Sequence, residues 1–205
     1  MKKLGIQFYQ REDVVTVAKE LLGKIVVTRF KRNITSGIIV ETEAYIGLTD
    51  KASHSFNGKR TARNEHMYAV AGTAYVYICY GIHHLFNVVT NKRNVPDAVL
   101  IRAVEPLQGI DMMLKRTGKK SPNYTLTKGP GNVGKALGIK KIHSGVKLSG
   151  DKIFICDGLP GNQLLPEHVI GISKRIGVES AGDAALLPYR FYIKGNPFVS
   201  GYPNH

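Results

Sequence analysis

Two glutamates at the end of an apolar run are the residues of this sequence best suited to chemistry. Glu41 and Glu43 lie two positions apart in the segment SGIIVETEAYIGLTDKASHS. Alternate side chains of an extended strand share a face, so both carboxylates and Tyr45 should point one way, with Ile39 behind them. The intervening residues should face the core: Ile38, Val40, Thr42 and Ala44.

A buried carboxylate is costly unless it is paired or hydrogen-bonded. At least one of the two glutamates should therefore have a basic partner. A carboxylate in such a place can serve as a general base. The alternative is that both glutamates are structural and are neutralised by arginine or by backbone amides.

Tyrosines follow one another in the segment YVYICYG. Tyr75 and Tyr77 should share one face of a strand while Val76 and Ile78 face the core, and Tyr80 falls where the chain must turn. Aromatic rings beside a basic surface suit stacking on nucleic-acid bases. The alternative is that these rings only pack against other side chains.

The charge balance points to an acidic partner. The 205 residues include 29 Lys+Arg against 15 Asp+Glu, for a net charge of +14. Such an excess favours nucleic acid first and an anionic membrane surface second, although it also fits a merely cationic surface. The length suits one well-buried domain, spanning residues 1–205.

Several features favour a reducing, intracellular location. No run approaches the roughly 18 apolar residues of a membrane helix. The N-terminal segment turns polar at Gln7, so it lacks the apolar core of a signal peptide. Two cysteines, Cys79 and Cys156, do not make a disulfide scaffold. We expect a cytoplasmic protein associated with the nucleoid, or a nuclear one in a eukaryote, and no membrane partner.

Patterning predicts an α+β fold. A helix should start at the N-cap Asp13 and stop at Gly23, and further short helices should follow Glu105 and the glycine-rich GPG. NITSG reads as a turn, and strands are expected at Lys24–Phe30, Ile38–Tyr45, Ala98–Pro106, within residues 72–90 (two strands), in KIFICDG and before an irregular C-terminal tail. Together they predict one compact domain with a curved, mostly antiparallel sheet flanked by short helices.

The motifs VETEAYIG, ASHS, GTAYVYICYG with Asn87 downstream, LIRAVEP, GPG and RFYIKGNPFVS resemble, in order and spacing, the 3-methyladenine (alkyladenine) DNA glycosylase family. The resemblance runs from about Phe8 to Ser200. It implies a monofunctional enzyme that flips alkylated or deaminated purines, such as 3-methyladenine and hypoxanthine, from duplex DNA. Hydrolysis of the N-glycosidic bond would then initiate base-excision repair. The enzyme would act as a monomer with no cofactor and no metal.

The resemblance also assigns residues. The catalytic acid of the family falls on Glu43, and Arg102 would help it and a backbone carbonyl near Ile176 to hold the attacking water. The base pocket falls on Tyr45, His54, Tyr77 and, at its floor, Asn87. The tyrosine that wedges into the minor groove falls on Tyr80.

These residue types suit the reaction. Departure of a base develops oxocarbenium character at the sugar, which a carboxylate such as Glu43 can stabilise while it takes a proton from water. Arg102 should keep Glu43 ionised. The rings of Tyr45 and Tyr77 favour a cationic alkylated purine. No lysine nucleophile is implied.

A basic loop, NGKRTARN, should grip DNA phosphates. Its contacts are expected from Lys59, Arg60, Thr61 and Arg63. The alternative for each of these side chains is a solvated loop.

Two other functions compete with this interpretation. GPGNVGKA has the spacing of a nucleotide-binding P-loop, and Asp157 ends a strand like its acidic partner. Against a nucleotide hydrolase, Ala136 stands where a hydroxyl must bind magnesium, and Gly138 follows almost at once. The segment could instead be a DNA-phosphate cradle or only a tight turn. The second competitor is a non-enzymatic nucleic-acid binder.

His83 and His84 form the one close histidine pair in the sequence, and their spacing predicts no metal site.

Overall fold

The computed structural model describes residues 2–158 and 164–201. The strands of this part of the chain are β1 Ile25–Phe30, β2 Asn33–Tyr45, β3 Ala74–Cys79, β4 His83–Val89, β5 Ala98–Gln108, β6 Ile153–Cys156, β7 Ile170–Ser173 and β8 Arg190–Ile193. The α-helices are α1 Ile6–Tyr9, α2 Val14–Glu20, α3 Ile110–Thr117 and α4 Pro130–Leu137. Short 3₁₀ helices occupy Phe56–Gly58, Glu65–Tyr68, Tyr124–Leu126, Lys141–His143, Glu167–Val169 and Glu179–Leu186. The end of the predicted C-terminal tail, residues 202–205, lies outside the described residues.

Helix α2 forms where its sequence predicts it. The Asp13 carboxylate accepts hydrogen bonds from the amides of Val15, at 2.9 Å, and Thr16, at 3.1 Å. This N-cap satisfies donors that have no partner inside the helix. Gly23 follows the helix with φ of 79°, a conformation that glycine adopts without strain.

The sheet is antiparallel in every strand pairing of the described residues, with the order β3-β4-β5-β2-β1-β6. The long strand β2 pairs along one edge with β5. Along the other edge it pairs first with β1 and then with β8, which also pairs with β7. The α+β class and the antiparallel sheet are therefore as predicted. Strand β2 joins β5 on one side to β1 and β8 on the other.

Two β-bulges flank Glu41 in the pairing of β2 with β5. The register shifts on both sides of Glu41, and the extra residues are Val40 on β2 and Arg102 on β5. A bulge bends its strand and re-aims side chains. Here the bulges bring Glu41 and Arg102 together, with 2.9 Å between Oε1 and Nε.

The bulge on β2 makes part of the predicted face pattern wrong. Ile39 packs in the main core and not behind the glutamates. Val40, predicted to face that core, instead packs on the acidic side with Ala103, Tyr192 and Val199. Thr42 and Ala44 do face the main core, where Thr42 Oγ1 donates to the carbonyl of Ala18 in α2 at 2.8 Å.

The helices cover one face of the sheet. Helix α2 packs on β2 and β5, α4 packs on β4 and β5, and α3 packs on α4 and β2. The main core lies between these helices and the sheet and includes Val17, Leu21, Ile101, Met113, Val133 and Leu137. This rigid layer supports the strands whose opposite side carries the glutamates.

Several boundaries differ from the prediction. The predicted turn NITSG is the start of β2, because the hairpin turns earlier, at Lys31, whose φ is 57°. Helix α3 starts at Ile110, after β5 has run on to Gln108. Ile78, expected to face the core, is 39% exposed near the end of β3. The short elements α1 and β7, of four residues each, were not predicted.

Candidate active site

A cleft of about 470 Å³ collects most of the residues predicted to form a site. Of those residues it is lined by Tyr45, His54, Arg63, Tyr77, Tyr80, Asn87, Arg102 and Ile176. Glu43 is fully buried directly behind this lining, since it bonds both Tyr45 and Ile176. Strands β2 to β5, the loop that follows β2 and the segment that follows β7 all contribute to the cleft.

Glu43 is held by three donors. Its Oε2 accepts the Tyr45 hydroxyl at 2.8 Å, and its Oε1 accepts the backbone amide of Ile176, also at 2.8 Å. Arg102 Nη1 lies 3.2 Å from Oε1. Burial raises the pKa of Glu43 above its usual value although Arg102, the Ile176 amide and Tyr45 all favour the ionised form. A carboxylate with a raised pKa is a stronger base.

Glu41 has a different environment two residues away. Its Oε1 accepts from Arg102 Nε at 2.9 Å and from Arg190 Nε at 2.7 Å. The Ser200 amide and hydroxyl also donate to the carboxylate, at 2.9 Å and 2.8 Å. Burial works against ionisation, but the two arginines and Ser200 outweigh it and hold the pKa of Glu41 below its usual value. Glu41 is therefore a structural anion, charged at neutral pH.

The two glutamates have two basic partners, Arg102 and Arg190, of which only Arg102 was predicted from the sequence. Arg102, which the resemblance assigned as a partner of Glu43 alone, contacts both glutamates, whereas Arg190 and Ser200 were not assigned. Both lie in or near the motif RFYIKGNPFVS, which was recognised but given no role. That Arg102 keeps Glu43 ionised stays a prediction: the guanidinium favours the ionised form, whereas burial acts against it and raises the pKa of Glu43.

Aromatic rings form the side of the cleft. His54 Nδ1 lies 2.9 Å from the hydroxyl of Tyr75, and its ring meets Tyr77 edge-on at 4.5 Å. Tyr75 and Tyr77 stack at 5.6 Å. Burial, with Arg63 and Lys59 nearby, lowers the pKa of His54 to about 4, so its ring is neutral at pH 7. Tyr75 was predicted to share this face but not to be a site residue. Its hydroxyl holds the His54 ring in place.

Asn87 lies on β4 and lines the cleft. Its Nδ2 donates to the carbonyls of Tyr75, at 3.2 Å, and Leu85, at 3.4 Å. These bonds fix the orientation of the amide. Its role at the floor of a base pocket, which the resemblance implies, stays a prediction.

Tyr80 forms the tip of the β3–β4 hairpin. It is 87% exposed, with φ of 49°, and Gly81 follows with φ of 73°. The Ile82 amide donates to the Cys79 carbonyl at 3.2 Å, which closes the turn. Two successive residues with positive φ are typical of the type I′ turn that suits a twisted hairpin. An aromatic ring is thus held out into solvent at the mouth of the cleft.

The basic loop divides into free and engaged side chains. Arg60 is paired with Glu65, with 2.9 Å from Nε to Oε2, and lies over the ring of Tyr68. Thr61 donates its amide and hydroxyl to the side chain of Asn64. Arg63 lies over Tyr77 and Lys59 is exposed. Contact with phosphate stays a prediction for all four residues, and the geometry favours Lys59 and Arg63.

The glycine-rich segment does not have the architecture of a P-loop. Helix α4 follows the 3₁₀ helix Tyr124–Leu126, whereas a P-loop follows a strand. Its glycines serve close packing on β4: a Cβ at Gly134 would lie 2.0 Å from the His84 carbonyl, and one at Gly131 would lie 2.6 Å from the His83 ring. Asp157 pairs with Lys24 at 3.0 Å.

The histidine pair also has a structural account. His83 lies against Gly131, and His84 Nδ1 accepts the amide of Lys141 at 3.2 Å. Both side chains therefore join β4 to the elements packed on it.

Within residues 2–158 and 164–201, no three His, Cys, Asp or Glu side chains gather in a way that could hold a metal ion. In the same residues no helix has the length and apolar character needed to cross a membrane.

Comparison with known proteins identifies the family of the chain. The profile of the methylpurine-DNA glycosylase family matches residues 7–197. A protein of Clostridium perfringens (strain 13 / Type A) is 46% identical over 97% of this chain and 98% of its own length, and one of Desulfitobacterium hafniense (strain Y51) is 42% identical over 98% and 99%. Each carries the name "Putative 3-methyladenine DNA glycosylase". The chain belongs to the methylpurine-DNA glycosylase family.

Proposed function

We propose that this DNA glycosylase removes alkylated or deaminated purines, 3-methyladenine and hypoxanthine among them, from duplex DNA and so initiates base-excision repair. The observation that carries the proposal is the placement of Glu43, a buried carboxylate of raised pKa directly behind an aromatic cleft. Family membership and the names of the relatives support the methylated purines among these substrates.

Glu43 acts as the base that activates water. Loss of a purine leaves positive charge on the deoxyribose, and a carboxylate at the cleft wall stabilises that charge while it accepts the proton of the attacking water. Burial makes Glu43 more basic than an ordinary glutamate, and Arg102 beside it orients the water. The carbonyl of Ile176 completes the water site in this proposal, since the amide of the same residue already bonds Glu43.

The aromatic side of the cleft receives the flipped base. The rings of Tyr45 and Tyr77, with His54 edge-on to Tyr77, attract a cationic alkylated purine by about 0.5–2 kcal/mol. Asn87 at the floor disfavours the exocyclic amine of guanine. Tyr80 fills the gap in the duplex, which offsets part of the few kcal/mol that unstacking costs.

The enzyme is monofunctional in this proposal and leaves an abasic site without cutting the strand. A strand-cutting glycosylase needs an amine nucleophile in the site. Lys51 lines the cleft but is exposed. In this proposal Lys51 contacts the surrounding DNA and does not attack the deoxyribose of the flipped nucleotide. The protein acts as a monomer on duplex DNA in the cytoplasm, at the nucleoid.

A duplex with one 3-methyladenine or hypoxanthine tests the proposal. After incubation without added metal, the strand should break on heating in alkali and stay intact without it. Breakage without alkali that Lys51→Ala removes would contradict the monofunctional assignment. No alkali-labile site on any alkylated or deaminated purine, with salt-sensitive binding retained, would favour the non-enzymatic nucleic-acid binder. Nucleotide hydrolysis would favour the P-loop alternative.

A further inference from the structure

Arg175 links three segments beneath the cleft. Its side chain is fully buried and forms a two-pronged ion pair with Asp50, with 2.9 Å from Nη2 to Oδ1 and a second contact from Nη1 to Oδ2. It also donates to the carbonyls of Ala44, at 3.0 Å, and Ala184, at 2.9 Å. The planar guanidinium matches a carboxylate in a fixed geometry, so these bonds join the end of β2, the loop after it and the segment after β7.

Two of the donors to Glu43 are adjacent to this link. Ile176, the residue after Arg175, donates its amide to Glu43 Oε1. Tyr45, whose ring centre lies 4.7 Å from the guanidinium carbon of Arg175, donates its hydroxyl to Glu43 Oε2. Arg175 can therefore position the Ile176 amide through the backbone that joins the two residues. It can position the Tyr45 hydroxyl through its contact with the tyrosine ring.

We propose that Arg175, oriented by Asp50, is a positioning residue of the active site that holds the Ile176 amide and the Tyr45 hydroxyl on Glu43. This inference rests on the catalytic role proposed above for Glu43. Arg175 touches no substrate in this account. Its contribution is to keep two neutral donors within hydrogen-bonding distance of the base.

The charge environment of Glu43 gives the expected sign of the effect. The groups that face it are Tyr45 and Glu41 of β2, Tyr77 of β3, Arg102 of β5 and Arg175 itself. Donors stabilise the ionised carboxylate, so losing the Ile176 amide, the Tyr45 hydroxyl and the nearby positive charge raises the pKa of Glu43 further. Glu43 then takes up a proton at a higher pH, and its water is also less well placed.

The variants Arg175→Met and Asp50→Asn test this, with Arg116→Met as the matched control. Arg116 is another partly buried arginine that bonds a backbone carbonyl, that of Ala136, but it lies on the helix side of the sheet. Single-turnover excision is measured across the pH range, and the pKa of Glu43 is followed by carbon-13 NMR of its carboxyl group. For Arg175→Met we expect a maximal rate about 10- to 100-fold lower and an acid limb at higher pH.

Asp50→Asn should move both readouts in the same direction by less, and it carries the test if Arg175→Met does not fold. Arg116→Met should lower stability but leave the acid limb in place. An unchanged acid limb, maximal rate and Glu43 pKa in folded Arg175→Met or Asp50→Asn would overturn the inference. Absence of base release by the unaltered protein would instead overturn the proposed function, and the NMR measurement would still decide whether Arg175 positions the donors on Glu43.

Discussion

Glu41 and Glu43 share the guanidinium of Arg102, which favours the ionised form of both, yet their pKa values are shifted in opposite directions. Glu41 has a second arginine and Ser200 as partners, and its pKa is lowered. Glu43 has one shared cation and two neutral donors, and its pKa is raised. Two carboxylates whose pKa values are pushed apart by their surroundings are typical of a site that divides structural and catalytic roles.

Glu43→Gln should reduce excision by about 10²- to 10⁴-fold, because an amide cannot accept the proton from water. Duplex binding should stay close to that of the unaltered protein. The free energy of unfolding should be unchanged or higher, since the substitution removes a charge whose ionisation burial disfavours. Single-turnover assays and urea titration check both parts. Near-normal turnover would place the water-activating role elsewhere.

Glu41→Gln should behave in the contrary way and destabilise the fold by about 3 kcal/mol or more, because it leaves Arg102 and Arg190 buried with a neutral partner. The pKa of Glu41 is depressed, so its contribution is present above the usual glutamate value and is lost as the pH falls through its lower folded value. Urea titrations at neutral pH measure the loss. A variant as stable as the unaltered protein would mean that the arginines find other partners.

Excision should fall as the pH decreases through a value above 4.5, the ordinary pKa of glutamate. The reaction needs ionised Glu43, and burial raises the pH at which that ionisation occurs. His54 titrates at about 4, so the limb should persist in His54→Asn even if the rate is lower. A pH–rate profile of the single-turnover rate is the measurement. If the fall in rate at low pH disappears in His54→Asn, it belongs to the imidazole and not to Glu43.

Tyr80→Gly should weaken capture of a lesion-containing duplex without harming the fold. The ring is exposed, and its positive φ suits glycine better than tyrosine, so stability should be equal or slightly higher. Affinity and rate should drop about tenfold, in line with the roughly 1–3 kcal/mol of an aromatic stacked on a base. Binding titrations on lesion and undamaged duplexes separate capture from general affinity. Unchanged values would remove the wedge from the mechanism.

Lys59→Gln should weaken DNA binding uniformly and reduce the slope of log K against log salt by about 0.9, as expected for one lost phosphate contact. Arg60→Gln is the matched control on the next residue, whose charge is already paired with Glu65. It should change the slope less. Binding titrations over a range of salt concentrations provide the comparison. Equal slopes for both variants would show that the ion pair opens when DNA binds.

The sequence by itself determined the local structure and the set of chemical groups. Asp13 caps its helix because a side-chain oxygen satisfies nearby amides, and Tyr80-Gly81 turns the chain because both residues have positive φ. The acidic pair, the basic loop and the family resemblance named Glu43 and eight of the residues that line the cleft. Such features depend on neighbours in sequence, which makes them readable from it.

The tertiary structure decided what each glutamate does. Register shifts between β2 and β5 depend on the pairing of strands some 60 residues apart, so alternation along β2 alone put Ile39 on the wrong face. Arg190 and Ser200 bond Glu41 from late in the chain, and the amide of Ile176 bonds Glu43 in the same way. Burial and shared cations set the pKa of a carboxylate, and both are properties of the assembled fold rather than of the segment that carries it.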